Sequence, residues 1–374
     1  MRYSERMEIP FLKKILPPGL NFGFLSGKPS QVVGIDIGTY STKVVQLRYE
    51  SERAILETYG ELLTGGYLKS ASGVGSGFLR FLDKDIATLL QDVMRESKIT
   101  ARDAVLAVPA TSGFTVTIPF PKISVKEIND AVPLEARKYV PIPLSEVTLA
   151  WMILDNEEPR DTIEVLLIAV PREVVEKFKR ITDIVGIRPR AIEIETFSVV
   201  RSLIGRDPTT TAVINMGHHS TTLTVVDRGV VRLSHNFNHG SQELTRAIER
   251  GLAVDEQRAE ALKREMGLSD RIEEREITSV MMPLVTSLLM EISHTMQTYN
   301  RKAVRKIQKV DFTGGGSQLK GLVELAASQF GTEVTRGNPF SRVVTPPFIQ
   351  PMLQEISPSF SVAIGLALYE LTSR

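Results

Sequence analysis

The chain has 374 residues, of which 42% are hydrophobic and 24% charged, a composition typical of a globular protein. Because 45 basic residues balance 44 acidic ones, no overall field gathers nucleic acid, and we expect no nucleic-acid partner. The absence of cysteine excludes disulfides, thiolate metal sites and cysteine nucleophiles. The length exceeds that of one ordinary hydrophobic core, so we expect at least two lobes.

Residues 1–30 are predicted to form a flexible leader outside the fold, because they carry four prolines and several glycines. Their basic, apolar stretch FLKKIL (residues 11–16) could contact a membrane or a partner, or lie on the protein's own surface. No run approaches the roughly 20 apolar residues of a membrane helix, and no signal-peptide pattern is present. We therefore expect a cytoplasmic protein that reaches the inner face of the cytoplasmic membrane only through partners or this leader.

Residues 31–118 are predicted to form the core of the first lobe. A buried strand at 32–38 leads through a tight turn into a second strand at 43–47, and residues 54–63 supply a third. A helix near 84–97 carries one apolar stripe, and strands at 105–108 and 114–118 close the unit.

Residues 119–187 are interpreted as an inserted small α/β subdomain that begins at the break marked by Pro119 and Pro121. Ser124 and Glu127 have the spacing of a capping box. Strands at 147–154 and 162–170 precede a helix that begins at Pro171. Residues 188–210 then return to the first lobe.

The chain contains an internal repeat. The segment DIGTYST (residues 36–42) and the segment NMGHHST (residues 215–221) each lie between two apolar β runs, with glycine, serine and threonine at matching positions. A strand-turn-strand unit that occurs once in each half predicts two lobes built on one plan.

The repeated turns have the chemistry of phosphate-binding loops, although either one alone could be an ordinary β-hairpin. Glycine lets backbone amides approach an anion, and hydroxyl groups add donors, so two facing turns would clamp a polyphosphate. Lys43 supplies a point charge, and Asp36 is placed to hold the hydration shell of Mg²⁺. The predicted ligands are Asp36, Gly38, Thr39, Ser41 and Lys43 in the first turn and Asn215, Gly217, His218, Ser220 and Thr221 in the second.

Two further segments have the character of a nucleotide site. A strand at 311–313 runs into Gly314, Gly315, Gly316 and Ser317, where no large side chain blocks a flat ligand and a following helix would offer free amides. Glu260 and Lys263 lie one turn apart on a predicted helix at 255–266, an arrangement that by itself could be a solvated charge pair.

Together these segments resemble the actin/Hsp70/sugar-kinase superfamily over nearly the whole chain after residue 30. The matching motifs are GIDIGT (34–39), NMGHHSTT (215–222), FTGGGS (312–317), AEALK (259–263), IEIE (192–195) and SVAIGLA (361–367). The resemblance implies an α/β, actin-like ATPase fold with two lobes on duplicated ribonuclease H-like sheets, and ATP with Mg²⁺ as cofactors. It also implies that Glu260 and Lys263 reach the ribose and adenine, and that Glu195 orients water.

Within the superfamily the chain is most similar to the PilM family of type IV pilus assembly, through EARKYVP (135–141), FNHGSQELT (237–245) and GNPF (337–340). This resemblance implies an ATP-binding cytoplasmic component of the inner-membrane assembly platform, with an FtsA-like inserted subdomain at 119–187. Its implied partner is the N-terminal cytoplasmic tail of a PilN-like single-span membrane protein, with other platform and motor proteins as further candidates. The partner groove is left open.

The resemblance also divides the rest of the chain. The second lobe would use residues 211–239 and 310–355, with 240–309 as its helical outer subdomain, and residues 356–374 would form a C-terminal helix of the first lobe. One departure concerns Asn215, because the second phosphate motif usually carries aspartate there. We therefore expect ATP binding with slow or absent turnover, with Glu195 as the remaining candidate for orienting water.

The residues leave three alternatives. An FtsA-like division protein is expected to carry an amphipathic membrane helix after a C-terminal linker, and this sequence stops at Arg374 without one. A sugar or acetate kinase needs a catalytic carboxylate for the acceptor hydroxyl, which no motif identifies. A zinc cluster of His218, His219, His235 and His239 is disfavoured, because residues four apart in a β segment point far from one another.

Overall fold

A computed structural model describes residues 29–51, 53–68, 80–121, 125–154, 162–269 and 271–372. Nearly all of the predicted leader and Ser124 of the predicted capping box lie outside these residues. The chain divides into two compact units, defined by their internal contacts. Unit 1 comprises Met1–Ser202, Phe340–Pro347 and Val362–Arg374, and unit 2 comprises Leu203–Pro339 and Phe348–Ser361.

The elements of the first part of the chain alternate strands and helices. They are β1 (Gln31–Ile37), β2 (Ser41–Glu50), β3 (Arg53–Leu63), α1 (Asp83–Glu96), β4 (Asp103–Val108), β5 (Phe114–Pro121), α2 (Val125–Glu135), β6 (Val147–Leu154), β7 (Thr162–Pro171), α3 (Arg172–Val185), β8 (Arg188–Ile194) and α4 (Glu195–Leu203). Between them, short 3₁₀ turns are formed by Thr64–Gly66, Ala110–Ser112, Ala136–Lys138 and Leu144–Glu146.

The second part repeats the pattern and ends in short helices. Its elements are β9 (Thr211–Met216), β10 (Thr221–Asp227), β11 (Val230–Phe237), α5 (Ser241–Leu252), α6 (Glu256–Met266), α7 (Arg275–Lys302), β12 (Lys309–Thr313), α8 (Leu322–Phe330), β13 (Glu333–Arg336), α9 (Gln350–Ile356), α10 (Ser361–Ala367) and α11 (Tyr369–Thr372). The C-terminal helix predicted at 356–374 is therefore divided, since a 3₁₀ turn at Ser357–Phe360 precedes α10.

Each unit contains a five-stranded sheet with the same topology. The strand orders are β3-β2-β1-β4-β8 in unit 1 and β11-β10-β9-β12-β13 in unit 2. In both sheets three antiparallel strands are followed by two parallel ones. The internal repeat seen in the sequence therefore corresponds to a duplicated sheet, and the predicted fold class is confirmed.

The inserted part of unit 1 is built on a separate three-stranded sheet with the order β5-β7-β6. Ile118 and Phe120 of β5 and Ile128 of α2 are buried in its core. The sequence predicts a strand at 114–118 within the first-lobe core, but the strand extends to Pro121 and pairs with β7. Pro119 and Pro121 mark no break, because an edge strand tolerates residues that lack an amide hydrogen.

The structure also differs from the prediction at the C-terminal end of the predicted subdomain 119–187. Helix α3 lies within that range, but it packs against α1. The Nζ of Lys177 donates to Phe81 O at 2.5 Å and to Asp83 Oδ1 at 2.6 Å. Arg180 Nε donates to Asp83 Oδ2 at 2.7 Å. A buried ammonium needs such partners, so these contacts anchor α3 to the helix of the five-stranded sheet.

Helix α7 is the core helix of unit 2. Among the described residues it alone has the length and hydropathy of a membrane span, with a mean hydropathy of 1.2 over its best window. Core helices of other proteins share that length and hydropathy. Here Met281, Val285, Leu289 and Ile292 are buried in the main apolar cluster of the unit.

Candidate functional site

The first group of predicted ligands lies at the β1–β2 turn of unit 1. Asp36 is paired in register with Lys43 across the two strands. The Nζ of Lys43 donates to Ser41 Oγ at 2.6 Å and lies 3.2 Å from Glu61 Oε1. Thr39 is exposed at the tip of the turn. The sequence missed Glu61, because its approach to Lys43 depends on the register of β3.

Thr64 is a second residue of this turn that the sequence did not identify. Its backbone amide donates to Tyr40 O at 2.9 Å, and its hydroxyl donates to Gly38 O at 3.0 Å. The turn carbonyls are thereby tied down, which fixes the direction of the turn's remaining amides.

Glu195 lies in the same unit as Asp36, at the point where β8 passes into α4. Its Oε1 accepts a hydrogen bond from the Ala110 amide at 2.9 Å. Burial and then repulsion from Asp36 raise the pKa of Glu195 to about 7. Burial also raises the pKa of Asp36 to about 6, against the opposing charge of Lys43. Asp36 and Glu195 repel each other, and an added cation would relieve that repulsion. The pair therefore fits a hydrated Mg²⁺, which takes few carboxylates and several waters.

The second group lies at the β9–β10 turn of unit 2 and repeats the first turn closely. A Cβ atom on Gly217 would lie 2.9 Å from Ser220 O, and one on Gly38 would lie 2.6 Å from Ser41 O. Asn215 occupies the place of Asp36, but its register partner is Thr222 rather than a lysine. The second turn thus has the backbone of the first without its ammonium or its carboxylate.

The second turn rests on the beginning of α5. The amides of Ser241 and Gln242 donate to Gly217 O at 3.0 Å and to His218 O at 2.9 Å. Thr221 Oγ1 donates its single hydrogen to His239 O at 2.7 Å, so in this arrangement the hydroxyl does not donate to a phosphate. This limits the donor role that the sequence assigned to Thr221.

His218 is the partly buried histidine of the second turn. Burial, together with the charges of His219 and Lys263, lowers the pKa of its imidazole to about 4. The ring is therefore neutral near pH 7, and any hydrogen bond it gives a phosphate comes from a neutral donor. The rings of His218 and His219 are 4.7 Å apart.

The glycine-rich turn meets the second hairpin turn within unit 2. A Cβ atom on Gly314 would lie 2.5 Å from Asn215 Oδ1, and one on Gly316 would lie 2.6 Å from Met216 Cγ. Gly315 faces open space, while the buried Ser317 donates through Oγ to Gly314 O at 2.7 Å. The helix that follows is only a 3₁₀ turn, Gly315–Gln318, and α8 begins at Leu322. The free amides expected from a regular helix at this point are correspondingly fewer.

Glu260 and Lys263 form a partly buried network on α6 rather than a solvated pair. Lys263 Nζ donates to Glu260 Oε2 at 2.5 Å, to Thr245 Oγ1 at 2.8 Å and to Ser241 O at 3.2 Å. Burial opposes ionisation of Glu260, but Lys263, Arg264 and Thr245 lower its pKa to about 2. Glu260 is thus a permanently charged acceptor, and Lys263 is the residue that holds it.

The described residues contain no group of three or more metal-ligating side chains of the kind a zinc site needs. His239 Nδ1 is paired with Glu243 Oε2 at 2.9 Å, and the ring of His235 packs edge-on against Phe237.

The duplicated sheets, each with its hairpin turn, define a protein of the actin-like class. Solved structures of this class are similar to the chain. A structure described as the PilM–PilN type IV pilus biogenesis complex aligns with a TM-score of 0.77 at 24% identity, over 91% of this chain and 98% of that one. MreB5 of Spiroplasma citri bound to AMPPNP aligns with a TM-score of 0.55 at 11% identity, over 92% and 97% of the two chains.

The sequence family is more specific than the fold. The model of the family described as type IV pilus assembly protein PilM matches residues 34–371, so the chain belongs to that family. The cell division protein FtsA of Streptococcus pneumoniae serotype 2 is more distant, with 22% identity over 80% of this chain and 74% of its own length. FtsA of Enterococcus hirae is 24% identical over 82% and 78% of the two chains. The predicted resemblance to PilM is confirmed.

Proposed function

We propose that this chain is the ATP-binding cytoplasmic component of a type IV pilus assembly platform at the inner membrane. One observation carries the ATP proposal: the same glycine-containing turn occurs at the same position of two sheets with the same strand order. Its residues offer amides, hydroxyls and one ammonium, which is the chemistry that a polyphosphate requires.

Each turn group has the chemistry to bind phosphate. Gly38, Ser41 and Lys43 would do so in unit 1, and Gly217 and Ser220 in unit 2. Glu260 would accept hydrogen bonds from the ribose, and the glycine-rich turn would admit the base. Mg²⁺, when bound, would neutralise the phosphates, and Asp36 and Glu195 would hold its waters.

Titration with Mg-ATP tests this proposal. Gly38→Ala places a methyl group against Ser41 O and should weaken ATP binding by about tenfold, the effect of losing one or two good hydrogen bonds. Gly65→Ala is the matched control, because a Cβ atom there meets nothing within 4 Å. Wild-type protein that binds no Mg-ATP at millimolar concentration would end the ATP proposal.

The proposed partner is the N-terminal cytoplasmic tail of a PilN-like single-span membrane protein. Membership of the PilM family supports it, and so does the similarity to a complex whose description names PilN. The interaction would keep this chain at the cytoplasmic face of the membrane. Fluorescently labelled tail peptides should bind with a measurable Kd and scrambled peptides should not; equal binding of both would contradict the proposal.

Nucleotide state is proposed to tune this interaction. A protein of two units can respond to ATP only through a difference in ATP affinity between its conformations. Tail-peptide affinity measured with Mg-ATP, with Mg-ADP and without nucleotide tests this coupling, and three equal values would remove it while leaving both binding proposals intact.

A further inference from the structure

Two glycines in unit 2 join the helix that carries Glu260 and Lys263 to the segment that follows the glycine-rich turn. Gly267 ends α6, and Gly321 begins α8. Both have left-handed backbones, with φ of 64° and 80°. Glycine adopts this conformation without strain, whereas residues with a Cβ atom do so rarely.

The two glycines also allow a close backbone approach. A Cβ atom on Gly267 would lie 2.6 Å from Lys320 Cβ and 2.7 Å from Lys320 O. A Cβ atom on Gly321 would lie 2.7 Å from Leu268 O. These neighbours are mainly backbone atoms, so a side chain at either position could be accommodated only by moving the two segments apart.

Hydrogen bonds close the junction from both sides. The Leu268 amide donates to Lys320 O at 2.8 Å, and Lys320 Nζ donates to Glu265 O at 2.5 Å. The Gly267 amide donates to Lys263 O at 3.0 Å, which ties the junction to the residue that holds Glu260. We call this junction of Gly267, Leu268, Lys320 and Gly321 the glycine clasp.

We infer that the glycine clasp is a positioning device that sets the spacing between Glu260 on α6 and the glycine-rich turn, and thereby the fit of the adenosine part of the nucleotide. The inference rests on the proposed function, because it assumes that ATP binds here. Lys320 comes three residues after Ser317, so a shift at the clasp moves the glycine-rich turn relative to α6. None of the four clasp residues has to touch the nucleotide.

The chain offers a well-matched control for testing the clasp. Gly331 follows α8 in the same left-handed region as Gly321; its φ is 63°, and its amide donates to Ala327 O at 3.1 Å. A Cβ atom on Gly331 would meet nothing within 4 Å. Gly331→Ala therefore introduces backbone strain of the same left-handed kind as Gly321→Ala without pushing two segments apart.

The experiment measures Mg-ATP affinity and melting temperature for wild type, Gly267→Ala, Gly321→Ala and Gly331→Ala. We expect all three variants to melt at lower temperature, but only the two clasp variants to bind ATP about tenfold more weakly, as for a loss of one or two ligand hydrogen bonds. If the clasp variants bind ATP like Gly331→Ala, the clasp has only a structural role and the inference is wrong.

The affinity for Mg-tripolyphosphate, measured by displacement of a fluorescent ATP analogue, adds a readout that general destabilisation would not reproduce. It should stay the same in the clasp variants, because the clasp acts on the adenosine part. A parallel loss of both affinities would overturn the inference. Failure of wild type to bind ATP would instead count against the proposed function.

Lys320→Met provides a test if neither clasp variant folds. It keeps both glycines and removes only the ammonium that holds Glu265 O. We expect ATP affinity to fall two- to threefold, roughly the effect of one weakened hydrogen bond, with tripolyphosphate affinity unchanged. A folded Lys320→Met protein with wild-type ATP affinity would contradict the inference.

Discussion

Oδ1 of Asn215 lies 2.5 Å from the position that a Cβ atom on Gly314 would occupy. The second hairpin turn and the glycine-rich turn are therefore in direct contact within unit 2, although a hundred residues separate them in the sequence. Gly314 has a left-handed φ of 82°, and its amide donates to Pro358 O at 2.9 Å. The contact fixes where the phosphate and base ends of the proposed nucleotide site meet.

Gly314→Ala should therefore disturb folding stability and ATP binding together. The new methyl group would strain the backbone and displace Asn215, and we expect a loss on the order of 2 kcal/mol in the free energy of unfolding. Urea unfolding and ATP titration measure the two effects. Gly315→Ala is the control for the stability effect alone, since a Cβ atom there faces open space and should leave the free energy of unfolding nearly unchanged.

Asn215→Asp should increase the rate of ATP hydrolysis. An aspartate would place a carboxylate at the position equivalent to Asp36, where it could help to arrange Mg²⁺ and the attacking water. We expect a gain of about tenfold or more, within the usual range for an added acid-base or water-orienting group. Steady-state phosphate release measures it, with Asn215→Ala as the control. Equal rates in wild type and Asn215→Asp would show that this position does not limit turnover.

Protein stability should depend on pH through Glu195. Its pKa is about 7 in the folded protein and has the ordinary carboxyl value of 4.5 in the unfolded chain, so the folded state binds the proton more tightly. The contribution to stability is thus complete below pH 4.5 and is lost as pH rises through 7. We expect this group to remove on the order of 2 kcal/mol between pH 5 and pH 8.

Glu195→Gln isolates that contribution, because glutamine does not titrate. Urea unfolding of both proteins at pH 5 and pH 8, without Mg²⁺ or nucleotide, should show a smaller loss of stability in the variant. Asp36→Asn should likewise show a smaller loss of stability between pH 5 and pH 8, since burial raises the pKa of Asp36 to about 6. Identical pH dependence in wild type and both variants would contradict the burial of these acids.

Arg201→Met should destabilise unit 1 strongly. Arg201 is buried and donates from Nη1 and Nη2 to the two oxygens of Glu193 at 2.5 and 2.8 Å, and from Nη1 to Gly365 O at 2.8 Å. Removing it leaves a buried carboxylate unpaired, which costs about 3–5 kcal/mol. Denaturant unfolding is the measurement.

The surface pair of Arg95 and Glu96, with Nη2 3.2 Å from Oε1, supplies the control for Arg201→Met. Arg95→Met should change stability far less than Arg201→Met, because water replaces the lost partner. Adding Glu193→Gln to Arg201→Met should recover part of the lost stability, since no unpaired charge remains. If the double variant is no more stable than Arg201→Met, the unpaired carboxylate is not the cause of the loss.

Local sequence patterns predicted much of the fold. The apolar runs around residues 36–42 and 215–221 located both hairpins, because strand periodicity and a glycine turn are encoded within about fifteen residues. Prolines were less informative. Pro119 and Pro121 looked like a boundary, yet they lie within β5, where the edge position removes the need for their missing amides.

The candidate site divides in the same way between local and tertiary information. The sequence identified the residue types of the turns, because glycine, serine, threonine and lysine at fixed spacing carry phosphate chemistry on their own. It did not identify Glu61, Thr64 or the Ala110 amide, whose roles depend on strand register and on chain segments that are distant in sequence. It also could not show that Lys263 donates to Glu260 while bonding Thr245 and Ser241.

The sequence by itself determined the duplicated plan, the two phosphate-type turns and the missing carboxylate at Asn215, because each is a short pattern of residue types. Only the tertiary structure decided which sheet β5 joins, that α3 rests on α1, and that Gly267 and Gly321 bring two helix ends into contact. Those features arise from pairing and packing between distant segments, and the residues involved have no distinctive local pattern.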